Sequence, residues 1–330
     1  MTKKISIIIP CYNQTRLLER NLEYLRKQTY KDFRIFILDD ASSENYQEVL
    51  SKFTDLDITY ERNKNNLGAM GNIFHSIFYQ TDSPYKISLH EDDILHPQYL
   101  EKAVKILDEN KQVAFVCALA KWFDNDADLA EKYTGVEDIG PATILDKTSF
   151  IQKILAGKHI MLSSVVYRDS LQRLSDENTV NIQKYLDMYN VYCDRPFLID
   201  LVDKYSVALI EEKVMFTRDH GEYDTRFKDI TEEHCFNLVR FYKDNVDNTV
   251  STNHFSRFST NFLIYSYSEI IHKKMSAYKF VCTGRRLGFI RLSRINKIGV
   301  IGILKIIFGR KIVDKIIRRL KRQSRCQRQE

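Results

Sequence analysis

The chain has 330 residues, 44% hydrophobic and 12% aromatic, enough for a large core and too apolar for a disordered polypeptide. Its six cysteines, at positions 11, 117, 193, 235, 282 and 326, contain no CxxC pair, which excludes a zinc ribbon or a disulfide framework and fits a reducing compartment. The formal charge of +6 is localised: residues 305–328 hold ten Lys or Arg against one acid, Asp314, while the remainder has 40 basic and 43 acidic residues, so no basic groove runs over the body of the fold.

The chain opens MTKKISIIIPCYN, with basic residues before an apolar run, but only five apolar positions precede Pro10, too few for a signal peptide core. No stretch reaches the length of a membrane span, so the protein is expected to stay in the cytosol. Ile5–Ile9 reads as a strand buried on both faces. Residues 14–27 set Leu17, Leu18, Leu22 and Leu25 on one helical face. Arg34–Leu38 is a second strand that runs into Asp39 and Asp40, followed by a helix over Ser43–Phe53 with a Ser cap. Asp57–Tyr60 is a third strand, Asn66 and Gly68 open a helix carrying Ile73, Ile77 and Phe78, Tyr85–Leu89 is a fourth strand, and Pro97–Glu109 a further helix. This alternation predicts an α/β fold: a doubly wound, mostly parallel sheet flanked by helices. The loops at Pro10–Asn13, Asp39–Asp40, Asn63–Gly68 and Glu91–Asp93 then share the sheet edge where such folds bind nucleotides. Neither a GxGxxG fingerprint nor a GxxxxGK[ST] loop is present.

Further along, Ala114–Ala118, Leu162–Tyr167 and Ser206–Ile210 are expected strands, and residues 124–142 an acidic loop. Asp194 is the natural cap of a helix reaching about Lys204, with Pro196 in its first turn. From Thr231 onward the sequence reads as helical, over 231–245, 256–275 and the tail.

The segment ISLHEDD at 87–93 carries the most chemistry. A strand that ends in Glu91, Asp92 and Asp93 delivers three carboxylates to the ligand-binding edge. Carboxylates this close repel unless a cation joins them, and hard cations such as Mg²⁺ or Mn²⁺ suit oxygen donors and are often completed by substrate phosphates. Read without a cation, the segment is a solvated acidic turn ahead of Pro97.

Four motifs in order, ISIIIPCYN, FILDDASSEN, NNLGAMGN and ISLHEDDILHP, make residues 5 to about 105 resemble a family 2 glycosyltransferase of the GT-A type. SSVVYRD, the Asp194 helix and FTRDH at 216–220 resemble its later landmarks. The resemblance implies a nucleotide-sugar site formed by Pro10, Tyr12, Asn13, Asp39, Asp40, Asn66, Gly68, Asn72, Asp92 and Arg218. Within it, Tyr12 is placed to stack on a nucleobase, Asp39 to accept the N3–H of uracil, and Asn13 and amides near Pro10 to approach the ribose. The metal, Mn²⁺ or Mg²⁺, falls to Asp93, Asp92 and Glu91 in that order, with His220 completing the shell or touching the diphosphate. The chain departs from the family at His90, where members commonly carry Asp. The family inverts the anomeric centre by direct displacement, which needs a base for the acceptor hydroxyl. Asp194 takes that role, about a hundred residues past the acidic triad, with Asp187 and Asp200 as alternatives. Arg218 is suited to pair with a phosphate.

The expected domains are a catalytic part over 1–225 (a nucleotide-sugar half at 1–110 and an acceptor half at 111–225), a helical extension over 226–298 and a basic tail over 299–330. In the tail, Leu304, Ile307 or Phe308, Ile312, Ile316 and Leu320 form an apolar stripe bordered by Lys and Arg, the pattern of a helix lying on an anionic membrane surface. Aromatic residues do not interleave with the charges, so nucleic acid is not an expected partner. Together these readings predict a bacterial transferase, peripheral on the inner face of the cell membrane, that passes a sugar from a nucleotide-sugar donor, UDP-linked in the first instance, to a glycan or lipid-linked acceptor in cell-surface polysaccharide or glycolipid assembly. Two alternatives remain: a membrane-peripheral module that binds nucleotide-sugar without catalysis, which His90 keeps open, and a sugar-phosphate nucleotidyltransferase, for which CYNQT lacks the glycines of the usual first loop.

Overall fold

The computed structural model describes residues 2–134, 138–158, 160–169, 182–218, 230–246, 252–269, 275–308 and 312–317. Two compact units emerge: residues 1–150, 158–182 and 197–222 form the first, and 151–157, 183–196 and 223–330 the second.

The first unit is built on a nine-stranded sheet: β1 (Ile5–Cys11), β2 (Phe33–Asp39), β3 (Ile58–Arg62), β4 (Tyr85–Ser88), β5 (Ile94–Leu95), β6 (Val113–Phe123), β7 (Ala142–Leu145), β8 (Val166–Arg168) and β9 (Ser206–Arg218). The order is β3-β2-β1-β4-β8-β6-β9-β5, with β7 also on β9. Strands β3, β2, β1 and β4 are parallel, in the arrangement expected from the alternating pattern. Strand β8 runs against both β4 and β6, and β5 and β7 run against β9, so the parallel set is interrupted by one reversed strand and bordered by two more. The expected strand over Leu162–Tyr167 is a 3₁₀ turn at Leu162–Ser164 followed by this short β8.

Helices α1 (Thr15–Arg26), α2 (Tyr46–Leu50), α3 (Gly68–Phe78) and α4 (Tyr99–Glu109) fill the crossovers. The period-two pattern of β1 divides the core. Ile5, Ile7 and Ile9 pack with Leu18, Leu22 and Leu25 of α1 and with Tyr99, Leu100 and Ala103 of α4. Ile8, Phe36 and Leu38 face the other way, beside Tyr79. Burial on both faces explains why β1 needs a continuous Ile run. The acidic stretch expected as a loop contains α5 (Asp126–Thr134), and Leu129 and Phe123 bury there with Ile94 and Phe216. Helices α6 (Lys147–Leu155) and α8 (Asp194–Leu201), with α7 (Ile182–Tyr189) between them in the chain, pass from one unit's residues to the other's.

The second unit holds α9 (Glu232–Asn245), α10 (Thr252–Glu269), α11 (Ala277–Arg286) and α12 (Lys297–Phe308). Its core includes Cys235, Phe236, Val239, Leu263, Tyr267, Phe280 and Phe289. Gly302 lets α12 approach α10 closely, since a Cβ there would lie 3.0 Å from the Ile264 carbonyl oxygen and from the Tyr265 Cα.

Candidate active site

Parallel pairing brings the C-terminal ends of β1, β2 and β3 together, and an Asn-rich network joins their loops. Asn72, buried on α3, donates to the Leu38 carbonyl at 3.0 Å and accepts from Asn63 Nδ2 at 3.2 Å. The Asp40 carboxylate shapes the next loop, with Oδ1 accepting from Asn63 Nδ2 (2.9 Å) and the Leu67 amide (2.8 Å), and Oδ2 from the Gly68 amide (3.0 Å). Gly68 sits at φ +76°, a conformation that suits glycine, and its amide also donates to Asn66 Oδ1. Asn66 Nδ2 returns to the Asp40 carbonyl at 3.2 Å. Asn13 lies at φ +51°, and its side-chain oxygen accepts from the amides of Ser43 (2.8 Å) and Glu44 (3.3 Å). Pro10 is within β1, in register with Leu38, and Tyr12 just beyond it is 48% exposed. Of the expected nucleotide residues, Pro10, Tyr12, Asn13, Asp39, Asp40, Asn66, Gly68 and Asn72 thus gather at one edge.

Asp39 differs from its expected use. Its carboxylate is buried and takes three hydrogen bonds from within the protein. Oδ1 receives the Ser42 amide at 2.9 Å, and Oδ2 receives Tyr60 Oη and Arg62 Nη1, both at 2.7 Å. Burial raises its pKa, but the Ser42, Tyr60 and Arg62 donors outweigh that and hold it below the usual carboxylate value. A base N–H at Asp39 would compete with these donors. Arg62 was not singled out from sequence, although the parallel register sets it directly opposite Asp39.

The acidic segment divides its side chains. Ligand atoms of His90, Asp92 and Asp93 lie within 4.8 Å of one another, and His90 Nδ1 is 3.7 Å from Asp93 Oδ2. Glu91, expected as the third metal ligand, turns back toward β1: Oε1 accepts the Tyr12 amide at 3.2 Å and Oε2 the Tyr46 hydroxyl at 3.1 Å. Burial pushes the Glu91 carboxyl up to about 8, against the pull of the Tyr12, Cys11 and Tyr46 donors. Glu91 alone turns away along HEDD, so the imidazole, and not Glu91, stands beside the two aspartates. The donor set of two carboxylates and one imidazole fits a divalent cation, and the imidazole shifts its preference from Mg²⁺ toward Mn²⁺.

Helix α1 fixes this segment from below. Asn21, 1% exposed, donates Nδ2 to the carbonyls of His90 (3.1 Å) and Asp93 (2.7 Å). Arg20 bridges the Asp92 carbonyl (3.2 Å) and Asp126 Oδ1 (2.9 Å), and its guanidinium lies over the Phe123 ring. On the far side, β5 pairs Ile94 with Phe216 of β9, which ends two residues later at Arg218. A cavity of about 460 Å³ opens there, lined by Arg16, Arg20, Tyr24, Asp124, Asp126 and Arg218 among others. Asp194 belongs to the second unit, at the head of α8, where its Oδ1 accepts the Arg195 amide at 2.8 Å. Burial raises its pKa, opposed by Arg195. His220 lies outside the described residues.

A mostly parallel sheet flanked by helices, with an acidic, metal-compatible loop at its carboxyl edge, is the GT-A class of fold. Residues 6–167, just under half of the chain, match the family model "Glycosyl transferase family 2". It is 30% identical over 118 residues to an uncharacterized glycosyltransferase of Haemophilus influenzae, spanning 36% of this chain and 39% of that protein's length. Among solved structures, residues 1–349 of Staphylococcus aureus TarS with UDP-GlcNAc superpose at a TM-score of 0.56 with 15% identity, over 96% of this chain and 92% of that one. The mannosyltransferase PcManGT of Pyrobaculum calidifontis, with GDP-Man and Mn²⁺, superposes at 0.51 with 12% identity, over 94% and 88% of the two chains.

Proposed function

We propose that the protein is an inverting, metal-dependent glycosyltransferase that moves a sugar from a nucleotide sugar to a hydroxyl of a glycan or lipid-linked acceptor in the assembly of bacterial cell-surface polysaccharide or glycolipid. The observation that carries this reading is the meeting of three nucleotide-edge loops with the His90, Asp92 and Asp93 trio at one end of a parallel sheet. Tyr12 offers the stacking face for the base, and the Asn13 and Asn63–Gly68 loops form the floor beneath the ribose. His90, Asp92 and Asp93 would hold the cation, which when bound neutralises the departing diphosphate. Arg218 and His220 serve the phosphates, and Asp194 takes the acceptor proton. Its raised pKa is in keeping with general-base work, which favours values nearer neutrality. UDP-GlcNAc in TarS favours a UDP-linked donor, with GDP the competing class from PcManGT.

The experiment is thermal stability against UDP, GDP, dTDP and CDP, with and without Mn²⁺. A ligand at one hundred times its Kd adds about 2.7 kcal/mol, or about 8 °C at roughly 3 °C per kcal/mol. A metal-dependent rise with one nucleotide, lost in Asp93→Ala, supports the transferase and names the donor class. No rise with any nucleotide overturns the reading.

The same proposal seats the protein on an anionic membrane face through its C-terminal helices. No helix of the described residues is long and apolar enough to cross a membrane. Helix α12 directs Gly299 and Gly302 inward and leaves Val300, Leu304, Ile307 and Phe308 exposed at 47, 38, 64 and 57%, and Ile312 and Ile316 beyond it are exposed at 59 and 51%. A large apolar face left open among Lys and Arg residues suits interfacial binding. Co-sedimentation with phosphatidylglycerol-containing vesicles, but not with phosphatidylcholine alone, is expected, and Ile307→Ser with Phe308→Ser should abolish it. Retention of the double variant on anionic vesicles refutes the apolar contribution.

A further inference from the structure

We infer that Glu91 is a positioning residue that ties the nucleobase loop to the metal loop, and that it contributes no ligand to the cation. The inference rests on the nucleotide-site reading above and adds a role to a residue within it.

Glu91 lies between His90 and Asp92, whose ligand atoms converge, yet both of its oxygens are engaged elsewhere. Oε1 accepts the backbone amide of Tyr12, the exposed ring of the first loop. Oε2 accepts the hydroxyl of Tyr46, and that hydroxyl in turn accepts the Gln14 amide at 3.0 Å. One carboxylate therefore holds two amides of the same loop, Tyr12 directly and Gln14 through Tyr46.

The opposite side of the loop is held by different groups. The Asn13 amide donates to Ser42 Oγ at 3.0 Å, and Thr15 donates from its amide and its hydroxyl to Glu44 Oε2 at 2.8 and 2.7 Å. Those contacts fasten the loop to the turn after β2. Glu91 fastens it to the acidic segment. Asn13 occupies the left-handed region at φ +51°, which asparagine tolerates, and these ties on both sides fix the loop in that turn. The ring of Tyr12 is then set at a fixed distance from the cation ligands, as a ligand with a base at one end and a diphosphate at the other requires. A solvated surface acid would not have both oxygens bonded to the Tyr12 amide and Tyr46, and a cation ligand would join the trio.

Two variants and three readouts test this. Glu91→Gln keeps one acceptor and turns an amide donor toward a second donor, and Tyr46→Phe removes the relay without touching the acidic segment. The first readout is hydrogen exchange at the Tyr12 and Gln14 amides in the protein without ligand, expected to quicken at least tenfold at both in Glu91→Gln and at Gln14 in Tyr46→Phe. The second is Mn²⁺ binding without nucleotide, expected within twofold of the parent in both variants and lost in Asp93→Ala. The third is UDP binding and donor kinetics, where Kd and KM should rise about tenfold with kcat within about threefold. Loss of Mn²⁺ affinity in Glu91→Gln on the scale of Asp93→Ala makes Glu91 a ligand and overturns the inference, as does unchanged exchange at both amides. If the parent binds no nucleotide at all, the nucleotide reading fails, whereas tight parental binding of UDP that Glu91→Gln leaves unchanged overturns the role of Glu91 alone.

Discussion

Asn21 is the residue through which the helix after β1 governs the acidic segment, and its replacement by Leu tests that. The side chain is 1% exposed and supplies one nitrogen to two carbonyls, 3.1 Å from His90 and 2.7 Å from Asp93. Leucine has nearly the same volume, so packing changes little while both carbonyls lose a donor. A neutral hydrogen bond contributes about 1 kcal/mol, and a buried acceptor left unmade costs about 1–3 kcal/mol more. With part of that recovered by relaxation, the expected loss is about 3 kcal/mol. At about 3 °C per kcal/mol for a domain of roughly 200 residues, Tm falls by about 9 °C. The loop bearing His90, Asp92 and Asp93 then loses its orientation, and outer-shell changes of this kind lower metal affinity about 10–100-fold. Differential scanning calorimetry and Mn²⁺ titration of the same variant read both effects. A Tm within 2 °C of the parent together with an unchanged Mn²⁺ Kd refutes the reasoning and assigns the hold on the loop to Arg20 and the β5–β9 pairing.

Further outcomes follow from other contacts. Asp39 has a folded pKa below its unfolded value of about 3.9, so its contribution is fully present above that pH and is lost as pH falls toward the folded pKa; urea denaturation from pH 6 to pH 2.5 should show an acid limb that Asp39→Asn flattens, and an identical slope in the variant contradicts this. His90→Asp should narrow the preference for Mn²⁺ over Mg²⁺, because an imidazole is replaced by a third hard oxygen donor; competition followed by the Mn²⁺ electron paramagnetic resonance signal checks it, and an unchanged ratio places the imidazole outside the coordination sphere. Gly302→Ala puts a Cβ 3.0 Å from backbone atoms of α10 that cannot move aside cheaply, so the helical unit should lose about 1–3 kcal/mol; hydrogen exchange in α12 that stays as slow as in the parent disproves it.

The parts of the fold that were legible in the sequence are those set by local pattern. Ile5–Ile9 reads as a doubly buried strand because every position is apolar, and Leu17, Leu18, Leu22 and Leu25 read as a helix because their spacing leaves one face. The reversed β8 was not legible, since its direction depends on partners 80 and more residues upstream in β4 and about 50 upstream in β6. Helix α5 hid in an acidic stretch whose few apolar residues gave no clear period, and its stability comes from Leu129 burying against Phe123 and Phe216. At the site, the sequence indicates which loops meet but not where each carboxylate points. Asp39 and Asp40 stand side by side at the end of β2, yet one is held by β3 and the turn at Ser42, and the other by the Asn63–Gly68 loop. The turn of Glu91 toward Tyr46 is a contact over 45 positions, invisible in the acidic run itself.

The reversed β8 also bears on how the chain is made. Strands β1 to β4 emerge from the ribosome first and pair among themselves, but the open edge of β4 waits for residues 166–168, and β8 in turn needs β6 on its other side. Until then the nascent chain presents an unpaired, largely apolar strand edge, the kind of surface that invites mispairing with a neighbouring chain. A fragment ending near residue 110 inherits that exposure permanently. The sheet is therefore completed only when β6 and β8 have joined it beside β4.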